Sequence, residues 1–398
     1  MNMAEIWFYL GLILGLILGL APIILTLRLN LYIKKSLTQE RKDFFPLLTV
    51  IIPCKGIDPD FEKNISSFLN QQYPDFQLIF VVATEEDPAY LKLSQLLSGL
   101  PQVKYKLVVS GISGICCQKN NNLIKGVEEA RTNSEIFVFL DSDCWLKPDF
   151  LKNLVVPLED KKIGGTTGYR WYSPVRGGLG SFLRSIWNGG ALPLLIDQSY
   201  NFTFGGTTAI RREVFEKLDI KSHWQRSAID DLTLTGALKK AKLSIRFVPE
   251  CMTATYEDSS LAQTIEFTNR QTIFMRIYHK SFWWMTFVVY ALSSLLIVAG
   301  VLFLLWPLKL FWAGISCLFI IFWQMLNAAL FSFFLTRILP LEAARKLKEN
   351  RLLYIILTPL ATFLILYNSI NALFNNTIIW RGITYKIKSP YNIEITKG

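Results

Sequence analysis

Four long apolar runs bracket a polar middle, and this arrangement limits the possible folds of the chain more than any other feature. The first run is Ile6 to Leu29, with no charge before Arg28. Three more close the chain: Phe282–Trp306, Leu310–Thr336 and Leu352–Leu373. Each has the ~20 apolar residues needed to cross a bilayer. The chain is therefore expected to be an integral membrane protein with one polar domain of ordinary size between its anchors. Composition agrees. Of 398 residues, 51% are hydrophobic and only 18% charged, whereas soluble domains carry about 25% charged residues.

No signal-peptide cleavage site is evident, because the amino end lacks positive charge and the first run is too long. Lys34, Lys35, Arg41 and Lys42 follow that run. Positive charge after a first span places the next domain in the cytosol. The expected division is an N-terminal transmembrane helix at 1–33, a cytosolic domain at 44–278, C-terminal transmembrane helices at 279–375 and a basic tail at 376–398. The segment Gly177–Phe204 is apolar but carries Arg184, and could lie in the membrane interface instead of crossing. Three crossings after a cytosolic domain would leave the tail outside. Yet the loop Arg337–Arg351 and the tail, with Arg381, Lys386, Lys388 and Lys397, are both basic, which favours the cytosol for each. An interfacial or re-entrant segment among the three runs would reconcile the two.

The net charge of +11 admits two partners. There is no nucleic-acid motif and no aromatic-basic repeat, so nucleic acid is not expected. Anionic lipid headgroups and a nucleotide diphosphate fit a membrane protein better. The six cysteines make neither a zinc pattern nor a disulfide framework, and read as small buried hydrophobes in a reducing compartment.

The polar middle reads as α/β. Leu47–Pro53, Gln77–Ala83, Tyr105–Val109 and Ile136–Leu140 are short apolar runs suited to buried strands. Helical stretches, Phe61–Gln72 and Asn120–Arg131, lie between them. Such alternation predicts a mostly parallel sheet covered on both faces, with ligands at the carboxyl ends of its strands. Acidic groups fall there: Asp58 after the first strand, Glu85-Glu86-Asp87 after the second and Asp141-Ser142-Asp143 after the fourth. Asp-x-Asp at a strand mouth lets two carboxylates share a divalent cation with substrate phosphates. Further on, Asp230-Asp231 pairs two carboxylates, which raises the proton affinity of one and suits a general base. The same pair could equally be a helix N-cap.

An ordered set of motifs carries a resemblance. Lys55-Gly56-Ile57-Asp58-Pro59, Asp87-Pro88-Ala89, Lys119-Asn120-Asn121-Asn122-Leu123, Asp141-Ser142, Gly206 to Arg211, Asp230-Asp231, Arg270 and Trp380-Arg381-Gly382 fall in the order and kind found in the ceramide glucosyltransferase family. The chain resembles these membrane-bound inverting enzymes over nearly its whole length. The resemblance implies a GT-A-type nucleotide-sugar-binding domain, a UDP-sugar donor (UDP-glucose foremost), a lipid acceptor such as ceramide, and Mg2+ or Mn2+. It further implies that Lys55, Asp58, Glu85, Lys119 and Asp141 bind the nucleotide sugar and that Asp141 and Asp143 handle the metal. Asp231, beside Asp230, would take the acceptor proton, and Arg270 would face the leaving diphosphate. Two departures stand out. The family's R-x-x-R-W reads Arg270-Gln271-Thr272-Ile273-Phe274, with Arg276 the nearest replacement charge, and Asp230 replaces a Glu. Hopanoid, diacylglycerol and polyprenyl phosphate are alternative acceptors; the few spans and degenerate motif speak against a polysaccharide synthase. A transporter would carry polar residues at mid-membrane, whereas here the acidic groups sit in the polar domain.

Overall fold

The computed structural model describes residues 2–39, 43–99, 105–305 and 310–397; Arg41, Lys42 and Trp306 lie outside them. The chain forms two interleaved compact units. One, the sheet unit, comprises Ser36–Trp171, Leu195–Thr255 and Asn376–Gly398. The other, the helix unit, comprises Met1–Lys35, Tyr172–Leu194 and Tyr256–Asn375.

The sheet begins with β1 (Leu48–Pro53), β2 (Phe76–Val82), β3 (Tyr105–Val109) and β4 (Ile136–Leu140), as the apolar runs predict. It continues through β5 (Ile163–Ser173), β6 (Thr207–Arg211) and β7 (Ser244–Tyr256) in the order β3-β2-β1-β4-β6-β5-β7. The first four strands are parallel. β6 pairs antiparallel with β4, Leu140 opposite Thr207, and so starts where β4 ends. The sheet is buried on both faces because alternate residues enter different cores. Val50, Ile52, Val138 and Leu140 pack with Phe61, Ile65 and Leu93 of α2 (Phe61–Leu69) and α3 (Pro88–Leu97). Ile51, Phe137 and Phe139 pack with α4 (Gln118–Glu128), α8 (Ile220–Trp224) and α9 (Asp231–Lys240). Two short helices, α5 (Phe150–Val155) and α7 (Arg212–Lys217), complete these layers. The tail is not merely a basic extension. It folds into a meander of β8 (Thr377–Trp380), β9 (Ile383–Ser389) and β10 (Asn392–Lys397), whose Tyr385 hydroxyl accepts the Gln118 N–H at 3.3 Å.

In the helix unit, α1 (Met3–Thr38), α11 (Lys280–Leu304), α12 (Phe311–Leu335) and α14 (Arg351–Phe374) are long and apolar enough to cross a membrane. Gly11, Gly15 and Gly19 of α1 let its backbone approach Ser316, Ile320 and Trp323 of α12, where any Cβ on Gly11 or Gly19 would intrude. Further along, Thr26 donates to Asn327 at 2.8 Å and Arg337 donates to Asn30 at 2.8 Å. Contacts that advance together along both chains make α1 and α12 parallel. α6 (Leu179–Gly189) is about 16 Å long at 1.5 Å per residue, too short to span. It packs Leu183 on Ala361 and Leu364 of α14, with Ile265 of α10 (Leu261–Tyr278) beside them. The stretch Arg337–Arg351, expected as a loop, contains an amphipathic helix, α13 (Leu341–Glu349). Pro340 precedes it, Glu342 opens it, Lys346 and Lys348 close it, and Ala343, Ala344 and Leu347 are buried. That charge order suits the helix dipole, and the apolar stripe gives the helix something to bury.

Candidate active site

Strand ends, a helix start and a glycine turn build one charged cluster in the sheet unit. Asp141 and Asp143 follow β4, and Lys119 lies in the first turn of α4. The Lys119 ammonium stands 2.9 Å from Asp141 Oδ1 and 3.2 Å from Asp230 Oδ1. Arg170, from β5, forks across the Asp-x-Asp pair, with Nη2 2.8 Å from Asp141 Oδ2 and Nη1 2.7 Å from Asp143 Oδ2. The run Asp230–Lys119–Asp141–Arg170–Asp143 therefore alternates in sign.

A second branch reaches Asp58 after β1. Its Oδ2 accepts the Ser142 hydroxyl at 2.7 Å, and its Oδ1 meets Arg381 Nη2 at 2.6 Å. Arg381 Nη1 also donates to the Lys55 carbonyl at 3.2 Å. Arg381 and Gly382 form the two-residue turn between β8 and β9, Trp380 opposite Ile383, with φ of 50° and 82°. Positive φ at both positions is the primed hairpin turn.

Gly205 and Gly206 bring backbone against these charges. A Cβ on Gly206 would lie 2.6 Å from Asp141 Oδ2 and 2.8 Å from Arg170 Nη2; one on Gly205 would strike the Asp230 carboxylate. The Gly205 N–H is thus free to donate to Asp231 Oδ2 at 3.1 Å, while the Leu232 N–H donates to Oδ1 at 2.6 Å. Asp230 occupies the N-cap position of α9 but makes no side-chain capping bond. Its carboxylate is turned to Lys119 instead, so the pair serves the cluster more than the helix.

Electrostatics divides the carboxylates. Burial, then Asp230, drives Asp231 up to about 7 against the pull of Lys119 and the two N–H donors. Burial also pushes Asp141 up, but Lys119 and Arg170 outweigh it and the net shift is down. For Asp143, burial prevails over Arg170 and the shift is up. Desolvation of the Lys119 ammonium is outweighed by Asp141, Asp230 and Asp231, so it stays a firm cation.

The pair Asp141 and Asp143 leaves one oxygen for a cation. Asp143 Oδ1 is buried and accepts no hydrogen bond among the described residues. The other three oxygens of Asp141 and Asp143 are taken by Lys119 and Arg170. Among the described residues no three His, Cys, Asp or Glu side chains form a metal-holding group. The protein thus offers one open carboxylate oxygen, enough for an ion that completes its shell with phosphate oxygens and water.

The remaining expected site residues lie elsewhere. Glu85 is on an exposed turn with no side-chain partner among the described residues; its neighbour Asp87 instead caps α3 and accepts the Gly56 N–H at 2.8 Å. Lys55 is partly buried and lowered by desolvation. Arg270 belongs to α10 in the helix unit, its guanidinium 5.6 Å over Phe267. Ile273 and Phe274, where the family motif has Arg and Trp, are interior at 2% and 3% exposure. Sequence reasoning missed Arg170. Its signal was a lone charge inside an otherwise aromatic strand, Tyr169-Arg170-Trp171-Tyr172, which demands an opposite charge when buried.

Several known proteins are similar to this chain. A stretch of 104 residues, 25% of this chain and 20% of the relative, is 33% identical to a ceramide glucosyltransferase from Komagataella phaffii. Over 132 residues, 30% of this chain and 24% of the relative, the identity to the Candida albicans ceramide glucosyltransferase is 29%. The Caenorhabditis elegans ceramide glucosyltransferase 1 is 27% identical over 113 residues, 28% of this chain and 24% of the relative. The matches thus span about a quarter of the length of these curated relatives. A solved mannosyltransferase from Pyrobaculum calidifontis, in complex with GDP-Man and Mn2+, aligns over 92% of this chain and 99% of its own at 15% identity and a TM-score of 0.48. The family model for glycosyl transferase family 21 matches residues 13–393, and the chain belongs to that family.

Proposed function

We propose that the chain is an inverting glycosyltransferase that moves a hexose, glucose from UDP-glucose foremost, onto the hydroxyl of a membrane lipid such as ceramide, with its sheet unit in the cytosol. The observation that supports this most is the contrast between Asp231 and its neighbours. One carboxyl is held near neutrality by burial and Asp230, and two more stand locked against Lys119 and Arg170.

In this reading the acceptor oxygen attacks the anomeric carbon as its proton passes to Asp231. The bond from that carbon to the diphosphate oxygen breaks, and the electron pair leaves with the diphosphate. Asp231 is poised for the proton because its affinity matches neutral pH. Its backbone N–H donors, Gly205 and Leu232, fix the carboxylate in place. Lys119 and Arg170 meet the diphosphate charge with preorganised donors, and Asp58, steadied by Arg381 and Ser142, is assigned to the nucleoside. Mg2+ or Mn2+, held at Asp143 with Asp141 beside it, would neutralise charge on the departing diphosphate. Arg270 is assigned the same compensating part.

The test uses purified full-length protein in detergent, a panel of UDP-sugars, and ceramide, diacylglycerol and a hopanoid, with and without Mg2+ or Mn2+. A metal-dependent glycolipid is expected. Asp231→Asn should lower turnover by ~10²–10⁴ while donor binding changes little. Turnover intact in that variant would remove Asp231 as the base, and product on a non-ceramide lipid alone would replace the acceptor.

A further inference from the structure

The structure singles out one of the apolar helices as different in kind from the rest. We propose that α14 does not cross the membrane, but lies in the leaflet at which α1 ends, with its outer side against the acyl chains. This holds whatever the sugar or acceptor.

The sidedness of the chain can be followed residue by residue. The last turn of α1 belongs with the sheet: the Ser36 hydroxyl lies 3.3 Å from Glu250 of β7. α12 runs parallel to α1, and its exit residue Arg337 is bonded to Asn30. So α12 emerges on the side at which α1 ends and the chain continues into the sheet unit, and α11 and α12 form a hairpin that crosses and returns. α13 stays on that side, because Lys346 donates to the Pro174 carbonyl at 3.3 Å, just past the end of β5. α14 therefore starts on the side at which α1 ends. It also ends there. β8 begins at Thr377, three residues beyond its end, and Arg381 of the same hairpin pairs with Asp58. A helix whose two ends emerge on one side of a bilayer has not crossed it.

α14 packs on α12, whose Gln324 donates to Thr362 at 3.0 Å, and on two helices that are not spans. α14 runs alongside α10 in parallel, with Asn368 accepted by Asn269 at 2.7 Å and Arg276 donating to the Asn375 carbonyl at 3.4 Å. α10 carries Glu266, Arg270 and Arg276 and lacks the composition of a span. α14 also packs on the short α6, Tyr354 against Phe182 with centroids 5.2 Å apart. Its other face exposes Leu352, Ile356, Leu360, Tyr367, Ile370 and Phe374. With Leu353 and Leu373, also exposed, these cover one face roughly 160° wide at 100° per residue, the broad apolar side of a helix against lipid. An uncharged apolar stripe on a chain with three true spans commits its occupant to lipid.

The test labels single cysteines in sealed vesicles with a membrane-impermeant maleimide; all six native cysteines are buried, and the wild type sets the background. Lys63→Cys, Leu341→Cys and Glu394→Cys sit on exposed positions of the sheet unit, the start of α13 and the tail, and Leu305→Cys on the turn after α11. The first three are expected to react from one side and Leu305→Cys only from the other. Reaction of Glu394→Cys from the Leu305 side overturns the proposal. Spin labels at Leu352→Cys, Leu360→Cys and Leu373→Cys then report depth by collision with oxygen and a nickel chelate. All three are expected in one leaflet. A depth profile that passes through the bilayer centre, or nickel access equal to that at Glu394→Cys, overturns it.

Discussion

The two units hold their polar groups together in opposite ways. At the charged cluster of the sheet unit the polar contacts are ionic: Lys119 with Asp141 and Asp230, Arg170 with Asp141 and Asp143, Arg381 with Asp58. In the helix unit they are largely neutral: Thr26 with Asn327, Gln324 with Thr362, Asn368 with Asn269. A buried charge pair costs desolvation and returns little net stability, so it persists where chemistry needs a field. A neutral pair between apolar helices sets register at low cost. The difference teaches where to look for reaction and where for architecture.

The sharpest way to break this comparison, after the loss of the base, is Arg170→Ala. It leaves Asp141 and Asp143 buried without their fork, and a cost of about 3–5 kcal/mol is expected, read as a fall in Tm. Excess Mg2+ should recover part of that loss if the carboxylates take a cation. An unchanged Tm would mean the ionic contacts are decorative. Next is pH. A general base near 7 must be ionised, so turnover should rise about tenfold per unit below pH 7 and level off above it. Stability should move the other way. Asp231 binds its proton more tightly folded than unfolded, so its contribution is complete below about pH 4 and is lost as pH rises through 7. Asp231→Asn should abolish both slopes; either slope surviving would assign it to another group.

On the neutral side, Asn368→Ala should cost only about 0.6 kcal/mol, with the donor KM unchanged. A large loss of donor binding would show that the helix unit's contacts are more than architectural. The smallest effect is expected of Glu85→Ala. An exposed side chain without a partner should shift stability by less than about 0.5 kcal/mol. A rise in donor KM at unchanged Tm would give Glu85 the nucleotide role the family resemblance implies, and no change in either would remove it.

Much of the sheet was legible because β1 to β4 are central parallel strands, whose apolar runs need no partner to be recognised. β5 was not. Its Ile163-Gly164-Gly165-Thr166-Thr167 opening has little apolar signal, and its burial comes from neighbours far along the chain, such as Leu238 and Leu243 against Gly164. The tail meander was overlooked for its basic residues, although Ile383, Tyr385 and Ile387 alternate with polar ones. At the site, acids announce themselves by following strands. The cations do not: Arg170 meets residues 27 and 29 positions away, and Arg381 meets one 323 away. Such pairings exist only in three dimensions.

The tip of the β8–β9 hairpin also has a bearing on how the molecule is made. Asp58 leaves the ribosome early, and its counter-ion Arg381 leaves only after α14 has been synthesised. The Asp58 loop therefore stays electrostatically unfinished until the apolar helices have all been synthesised. A nascent chain released before that moment would carry every acidic motif and still lack the counter-ion of Asp58. Maturation of the cluster is in this way timed by translation, with anchorage preceding competence.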